Sequence, residues 1–180
     1  MKEISLHILD IMQNSVTAGA SLVELFVTED EKNDILSFSV KDNGKGMSKE
    51  LLASVTDPFT TGRTTRKVGL GIPLLKNACE LTGGKISIKS KLGEGTTISA
   101  EFVYSSIDRQ PLGNMSETMH QLITSFEDVD FIYSHSVNGK EFFVDTREFK
   151  KALDGVSFKE NAVSLWILEY LKEGEAGIYE

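Results

Sequence analysis

The sequence predicts an α/β fold followed by a small α+β C-terminal extension. Three observations lead to that expectation. A helix-period stretch near the N-terminus is followed directly by two segments of strand period. A second helical stretch separates those from another strand pair. Beyond Ser105 the same mixture recurs on a smaller scale around a strong hairpin signal at Asn138-Gly139.

Taken in order, Ser5 to Ala18 reads as a helix. Leu6, Leu9, Ile11, Met12 and Val16 fall at three- and four-residue spacings, Ser5 is placed to cap the start, and Gly19 stops it. Leu22 to Thr28 suits a strand, and Asp30 to Asp34 a charged turn. From Ile35 to Lys41, apolar and polar residues alternate cleanly, the mark of a half-buried strand. Ser48 caps a short helix to Ser54. Asp57 to Lys67 holds Pro58, Gly62 and four threonines, lacks any apolar period and reads as a loop. Gly69 to Leu81 reads as a helix ended by Gly83-Gly84. Lys85 to Lys91 and Thr96 to Tyr104 read as strands joined by the turn Leu92 to Gly95.

A boundary falls between Ser105 and Asn114, where Pro111 and Gly113 sit in a polar stretch. This divides the chain into residues 1–105 and 114–180. Within the second part, Met115 to Phe126 is a helix. Phe131 to Val137 and Glu141 to Val144 form a hairpin. Asp145 or Thr146 caps a helix to Leu153, and a last helix spans roughly Lys159 to Leu171.

Composition narrows the function classes. The net charge of −8, from 27 acidic and 19 basic residues, argues against nucleic-acid binding through a broad basic face. No stretch resembles a signal peptide or approaches a membrane span, so a cytoplasmic protein without membrane contact is expected. The single cysteine, Cys79, excludes an internal disulfide and reads as a buried thiol.

Three segments have chemical potential. Asp42-Asn43-Gly44-Lys45-Gly46-Met47 follows a strand. A carboxylate there can accept a hydrogen bond from an exocyclic amine, and the glycines let backbone approach a flat ring. Val68-Gly69-Leu70-Gly71-Ile72 enters a helix, where backbone N–H groups favour phosphate. It is neither a Walker loop nor the dinucleotide fingerprint. Asp10 and Asn14 lie four apart on one helix face. A carboxylate can orient or deprotonate a nucleophile, and an amide oxygen suits Mg²⁺. Taken singly, these segments also read as an ordinary turn, a plain helix entry and a solvated helix face.

The order of the segments is more specific than any one of them. From Ser5 to Tyr104 the chain resembles the histidine-kinase-like ATPase family (GHKL, or Bergerat fold). It is nearest the branch of histidine kinases and anti-sigma-factor kinases. The resemblance implies a two-layer sandwich, a mixed sheet with helices on one face, and the cofactors ATP and Mg²⁺. It makes Asn14 the Mg²⁺ ligand and Asp42 the adenine-reading carboxylate, with Gly44 and Gly46 beside it and Met47 and Leu70 packed near the base. Phe59, in Asp57-Pro58-Phe59-Thr60-Thr61, matches the base of the ATP lid. Gly69 and Gly71 match the second glycine box, and Thr97 the threonine that backs the aspartate. Arg66 and Lys67 fall on the lid, where a cation can meet the γ-phosphate. Asp10 occupies the place of a catalytic glutamate in topoisomerase-like members, one methylene shorter.

The family usually has a strand before the first box, which is not seen here. Nor does a helix with a phosphoacceptor histidine precede the box, so self-phosphorylation on His7, His120 or His135 is not expected. The resemblance implies a regulatory protein kinase or ATPase acting on, or with, a separate protein partner. The alternative is a catalytically weak, ATP-dependent binding module. A homodimer is compatible with either.

Overall fold

The computed structural model describes residues 2–55 and 71–180. These residues form six helices and six strands. They are α1 (Ile4–Thr17), β1 (Leu22–Asp30), β2 (Ile35–Asp42), α2 (Lys49–Ser54), α3 (Gly71–Leu81), β3 (Lys85–Lys91), β4 (Gly95–Val103), α4 (Met115–Ser125), β5 (Asp130–Val137), β6 (Lys140–Asp145), α5 (Thr146–Leu153) and α6 (Asn161–Ile178). The strands form one sheet in the order β3-β4-β2-β1-β5-β6. All neighbours are antiparallel except β1 and β5, so the sheet is mixed, as expected.

The period-2 alternation builds the two layers. Val23, Leu25 and Val27 of β1, Leu36, Phe38 and Val40 of β2, and Ile98, Ala100 and Phe102 of β4 turn to one face and are buried. The helices cover that face with their own apolar stripes. Ile4, Ile8, Ile11 and Met12 come from α1, Ile72, Leu75 and Cys79 from α3, and Met119 and Leu122 from α4. Cys79 is fully buried, and burial pushes its thiol up to about 12, which removes it from thiolate chemistry near neutrality. The opposite face presents Ser37, Ser39 and Lys41 of β2 and the exposed Phe26 of β1.

The division at residues 105–114 does not separate two bodies. β5 pairs in parallel with β1 from Leu22↔Asp130 to Glu29↔Val137, so the C-terminal region continues the same sheet. Phe131, Tyr133, Val144, Ile167 and Leu171 belong to the same core cluster as Ile4 and Leu25. The linker also caps the first helix. Ile4 and Ser5 donate their N–H groups to the carbonyls of Pro111 and Leu112, at 2.9 and 2.7 Å. Two of the helix's orphan donors are satisfied in this way, Ser5 lies inside α1, and Glu3 is the cap residue.

The last helix runs past the expected end at Leu171 to Ile178, through Gly174. The ring of Phe142 occupies the space a Cβ at Gly174 would need, so here glycine permits close helix–strand packing rather than breaking the helix. His120 is structural: its Nε2 sits 2.9 Å from Ser164 Oγ and ties α4 to α6.

Candidate functional site

The site is built where the C-terminal half of α1 meets the tip of β2. Asp42 ends β2, and its two carboxylate oxygens are held by different elements. Ser15 Oγ, buried on α1, donates to Oδ2 at 2.6 Å, and Gly44 N–H donates to Oδ1 at 2.9 Å. Each oxygen has capacity for a second donor. A purine amine therefore fits the carboxylate without displacing either anchor.

The loop after Asp42 is fixed at both ends. Asn43 Oδ1 accepts from the N–H groups of Ser21 and Leu22 at 2.8 and 3.0 Å, which locks the loop to the start of β1. Lys45 N–H donates to Ala18 O at 2.9 Å, and Met47 N–H to Ser90 Oγ at 2.8 Å. Gly44 and Gly46 are buried. A Cβ on Gly44 would come within 2.9 Å of Ala18 O. Gly46 has φ +70°, and a Cβ there would run into Lys91 O. Gly46→Ala combines a left-handed conformation with a backbone clash. It is expected to cost more than about 2 kcal/mol of stability in urea unfolding. A loss below roughly 0.5 kcal/mol would show that the loop relaxes freely.

Asp10 and Asn14 sit on α1 as the spacing requires. Asp10 Oδ2 is buried and has no hydrogen-bond partner among the described residues. Burial pushes its carboxyl above the usual range. It lies directly against the first residue of α3, because a Cβ on Gly71 would run into that same oxygen. The structure thus brings Asp10 of the first box against Gly71. Asn14 is half-buried one residue before Ser15, and its side-chain amide makes no hydrogen bond among the described residues. An orphaned carboxylate oxygen and an unengaged amide oxygen on one helix face suit a hydrated Mg²⁺ and the phosphates it would accompany. Phe59, Arg66, Lys67, Gly69 and Leu70 lie outside the described residues.

Thr97 does not join Asp42. It pairs across the sheet with Lys41 and Lys89, and cross-strand partners share a face, so it points to the open side. Thr96 is the cross-strand partner of Asp42. Its hydroxyl lies 2.8 Å from Ser90 Oγ, which also receives Met47 N–H. Thr96 and Ser15 are thus the residues the sequence reading missed. Counting the strand period back from the β3–β4 turn would have selected Thr96. Ser15 left a weaker trace, as a polar residue inside an otherwise apolar helix stripe.

Comparison with known proteins follows this geometry. Residues 2–105 match the family model of histidine kinase-, DNA gyrase B-, and HSP90-like ATPases. Over 101 residues, 51% of this chain and 12% of the relative, the sequence is 34% identical to the non-motile and phage-resistance protein of Caulobacter vibrioides. Over 97 residues, 52% of this chain and 17% of the relative, it is 29% identical to the sensor histidine kinase YvrG of Bacillus subtilis. The chain spans under a fifth of the length of these curated relatives. Among solved structures, the Aquifex aeolicus MutL ATPase domain complexed with ADP superposes with a TM-score of 0.50. It is 12% identical, over 86% of this chain and 70% of that one. The N-terminal domain of a DNA repair protein superposes at 0.54, with 14% identity over 81% and 53% of the two chains. The Bacillus subtilis relative is a sensor histidine kinase, and the structural neighbours share the fold. No helix among the described residues is long and apolar enough to cross a membrane. With the family model matching residues 2–105, more than half of its length, the chain belongs to the histidine kinase-, DNA gyrase B- and HSP90-like ATPase family.

Proposed function

We propose that the chain binds Mg²⁺-ATP and uses it to phosphorylate, or to drive a change in, a separate protein partner. One observation supports this above the others. The Asp42 carboxylate is anchored by Ser15 and Gly44 immediately beside the α1 face that bears Asp10 and Asn14. Asp42 accepts the adenine amine over Gly44 and Gly46, with Met47 and Leu70 against the ring. Asn14 would hold Mg²⁺ through its amide oxygen, and the ion would neutralise phosphate charge when bound. Gly69 and Gly71 bring backbone amides to the phosphates. The family resemblance assigns Phe59 to the base of the lid and Arg66 and Lys67 to the γ-phosphate, and all three lie outside the described residues. Asp10, made more basic by burial, accepts the proton of the attacking hydroxyl or water.

A second reading is favoured by one feature of Asp10. Its buried Oδ2 is shut against Gly71, on a side chain shorter than the glutamate of topoisomerase-like members. In this reading ATP orders the site and tunes partner affinity with little turnover.

The two are separated by phosphate release and radiolabel transfer from γ-labelled ATP. Asp10→Asn is expected to lower turnover by roughly 10²-fold or more with ATP affinity retained. Unchanged turnover removes Asp10 from the role of base. A wild-type protein that binds ATP and shows no turnover supports the second reading.

A further inference from the structure

The tip of β2 has two sides. Asp42 faces the helices, and the residue before it, Lys41, faces the open side of the sheet. In register Lys41 lies opposite Thr97 on β4, and Thr97 opposite Lys89 on β3. Three adjacent strands, spaced by about 4.8 Å, therefore line up an ammonium, a hydroxyl and a second ammonium. Lys91 lies two residues further along β3. The row borders a depression of about 290 Å³ at the strand ends, lined also by Glu94 and by Asp42, Ser90 and Thr96.

Charge sets this patch apart. Lys85 is paired with Glu101 and Lys91 with Glu94, at 3.6 and 3.4 Å. Lys41 and Lys89 are exposed and form no ion pair among the described residues. Glu24, the cross-strand neighbour of Lys41 on β1, does not reach it within ion-pair distance. On a chain with a net charge of −8, two unneutralised lysines in one row are a local reversal of sign. Such a reversal steers and orients an anionic partner. The next row of the same face bears no charge across four strands. It consists of Ser87, Ser99, Ser39 and Phe26, and the ring of Phe26 is 41% exposed.

We propose that this surface docks an acidic segment of a protein partner, with carboxylates on Lys41 and Lys89 and an apolar side chain on Phe26. By strand alternation the side chains of Lys41, Thr97 and Lys89 stand on the opposite face from those of Asp42 and Thr96, and the depression at the strand ends borders both sets. The inference deepens the partner element of the proposed function. Its test needs no nucleotide, so the two fail separately.

The test uses the full chain and a fluorescein-labelled twelve-residue peptide of glutamates and aspartates around one central phenylalanine, followed by anisotropy. The wild type is expected to bind, and to weaken several-fold between about 50 and 300 mM salt. The Lys41→Glu/Lys89→Glu double variant is expected to lose affinity by at least about 10-fold. Phe26→Ser is expected to lose roughly 3- to 10-fold. Thermal melts of the variants should match the wild type, since all three side chains are exposed. Absence of wild-type binding at millimolar peptide, or retention of binding by the charge-reversed variant, overturns the proposal. So does displacement of the peptide by equimolar inorganic phosphate or an oligonucleotide, which would mark a general anion patch.

Discussion

Asp42→Asn is expected to lower ATP affinity by on the order of 10- to 100-fold in a calorimetric titration. The hydrogen-bond inventory sets the size of the effect. Ser15 O–H, Gly44 N–H and a purine amine are all donors, and only a carboxylate can accept all three. An amide with its oxygen on Gly44 turns its NH₂ to Ser15, whose hydroxyl must then accept instead of donate, and the purine amine loses a charged acceptor at a half-buried position. Two threonine variants sharpen the result. Thr96→Ala, on the Asp42 side, is expected to weaken binding. Thr97→Ala, on the open side, is expected to leave it unchanged. Equal affinity in wild type and Asp42→Asn would end the nucleotide assignment.

The second large effect lies at the other end of the sheet. His135 is buried between two carboxylates, with Nε2 at 2.7 Å from Glu29 on β1 and Nδ1 at 2.7 Å from Glu175 on α6. Tyr179 donates its hydroxyl to Glu29, and Tyr133 to Glu175. Burial alone would push the imidazolium toward neutrality. The hydrogen bonds and charges of Glu175 and Glu29 override it and hold His135 at about 9. This value lies above that of an unfolded chain, so the stability His135 contributes is complete below pH 6.5 and is lost as pH rises through about 9.

Glu29 behaves in the opposite sense. Burial raises it, but its bonds to His135 and Tyr179 hold it below the ordinary range, so its share is lost in acid. His135→Ala leaves two carboxylates facing each other without a cation and is expected to cost about 3–5 kcal/mol at neutral pH. That is a large part of a typical total. His135→Gln, neutral and of similar size, should abolish the wild-type decline in urea stability between pH 8 and 10. Parallel profiles for the two proteins would show that His135 is not charged in the folded state.

Much of this was legible in the residues. Alternation in β2 and β4 and the three-four spacing in α1 gave the two layers, because those signals are local. The order of Asp10, Asn14, Asp42 and Gly71 pointed to the candidate site in the same way. The errors came from pairings distant in sequence. The resemblance implied Thr97, but the facing of two identical neighbours is set only by their register with Asp42. The C-terminal region read as an appendage because parallel pairing between β1 and β5 leaves no turn motif between them. His135 carried no signal at all, since its partners at positions 29 and 175 belong to different elements. The full length of α6 was hidden by Gly174, which only the ring of Phe142 explains.

That β1–β5 pairing also sets an order of events in biosynthesis. As the polypeptide leaves the ribosome, the other strands matched by the family model can find antiparallel neighbours early. One flank of β1, with its row of amides and carbonyls, waits until Asp130–Val137 has been translated. During that interval the nascent chain displays an adhesive border, and closing it requires one of the longest loops in the molecule.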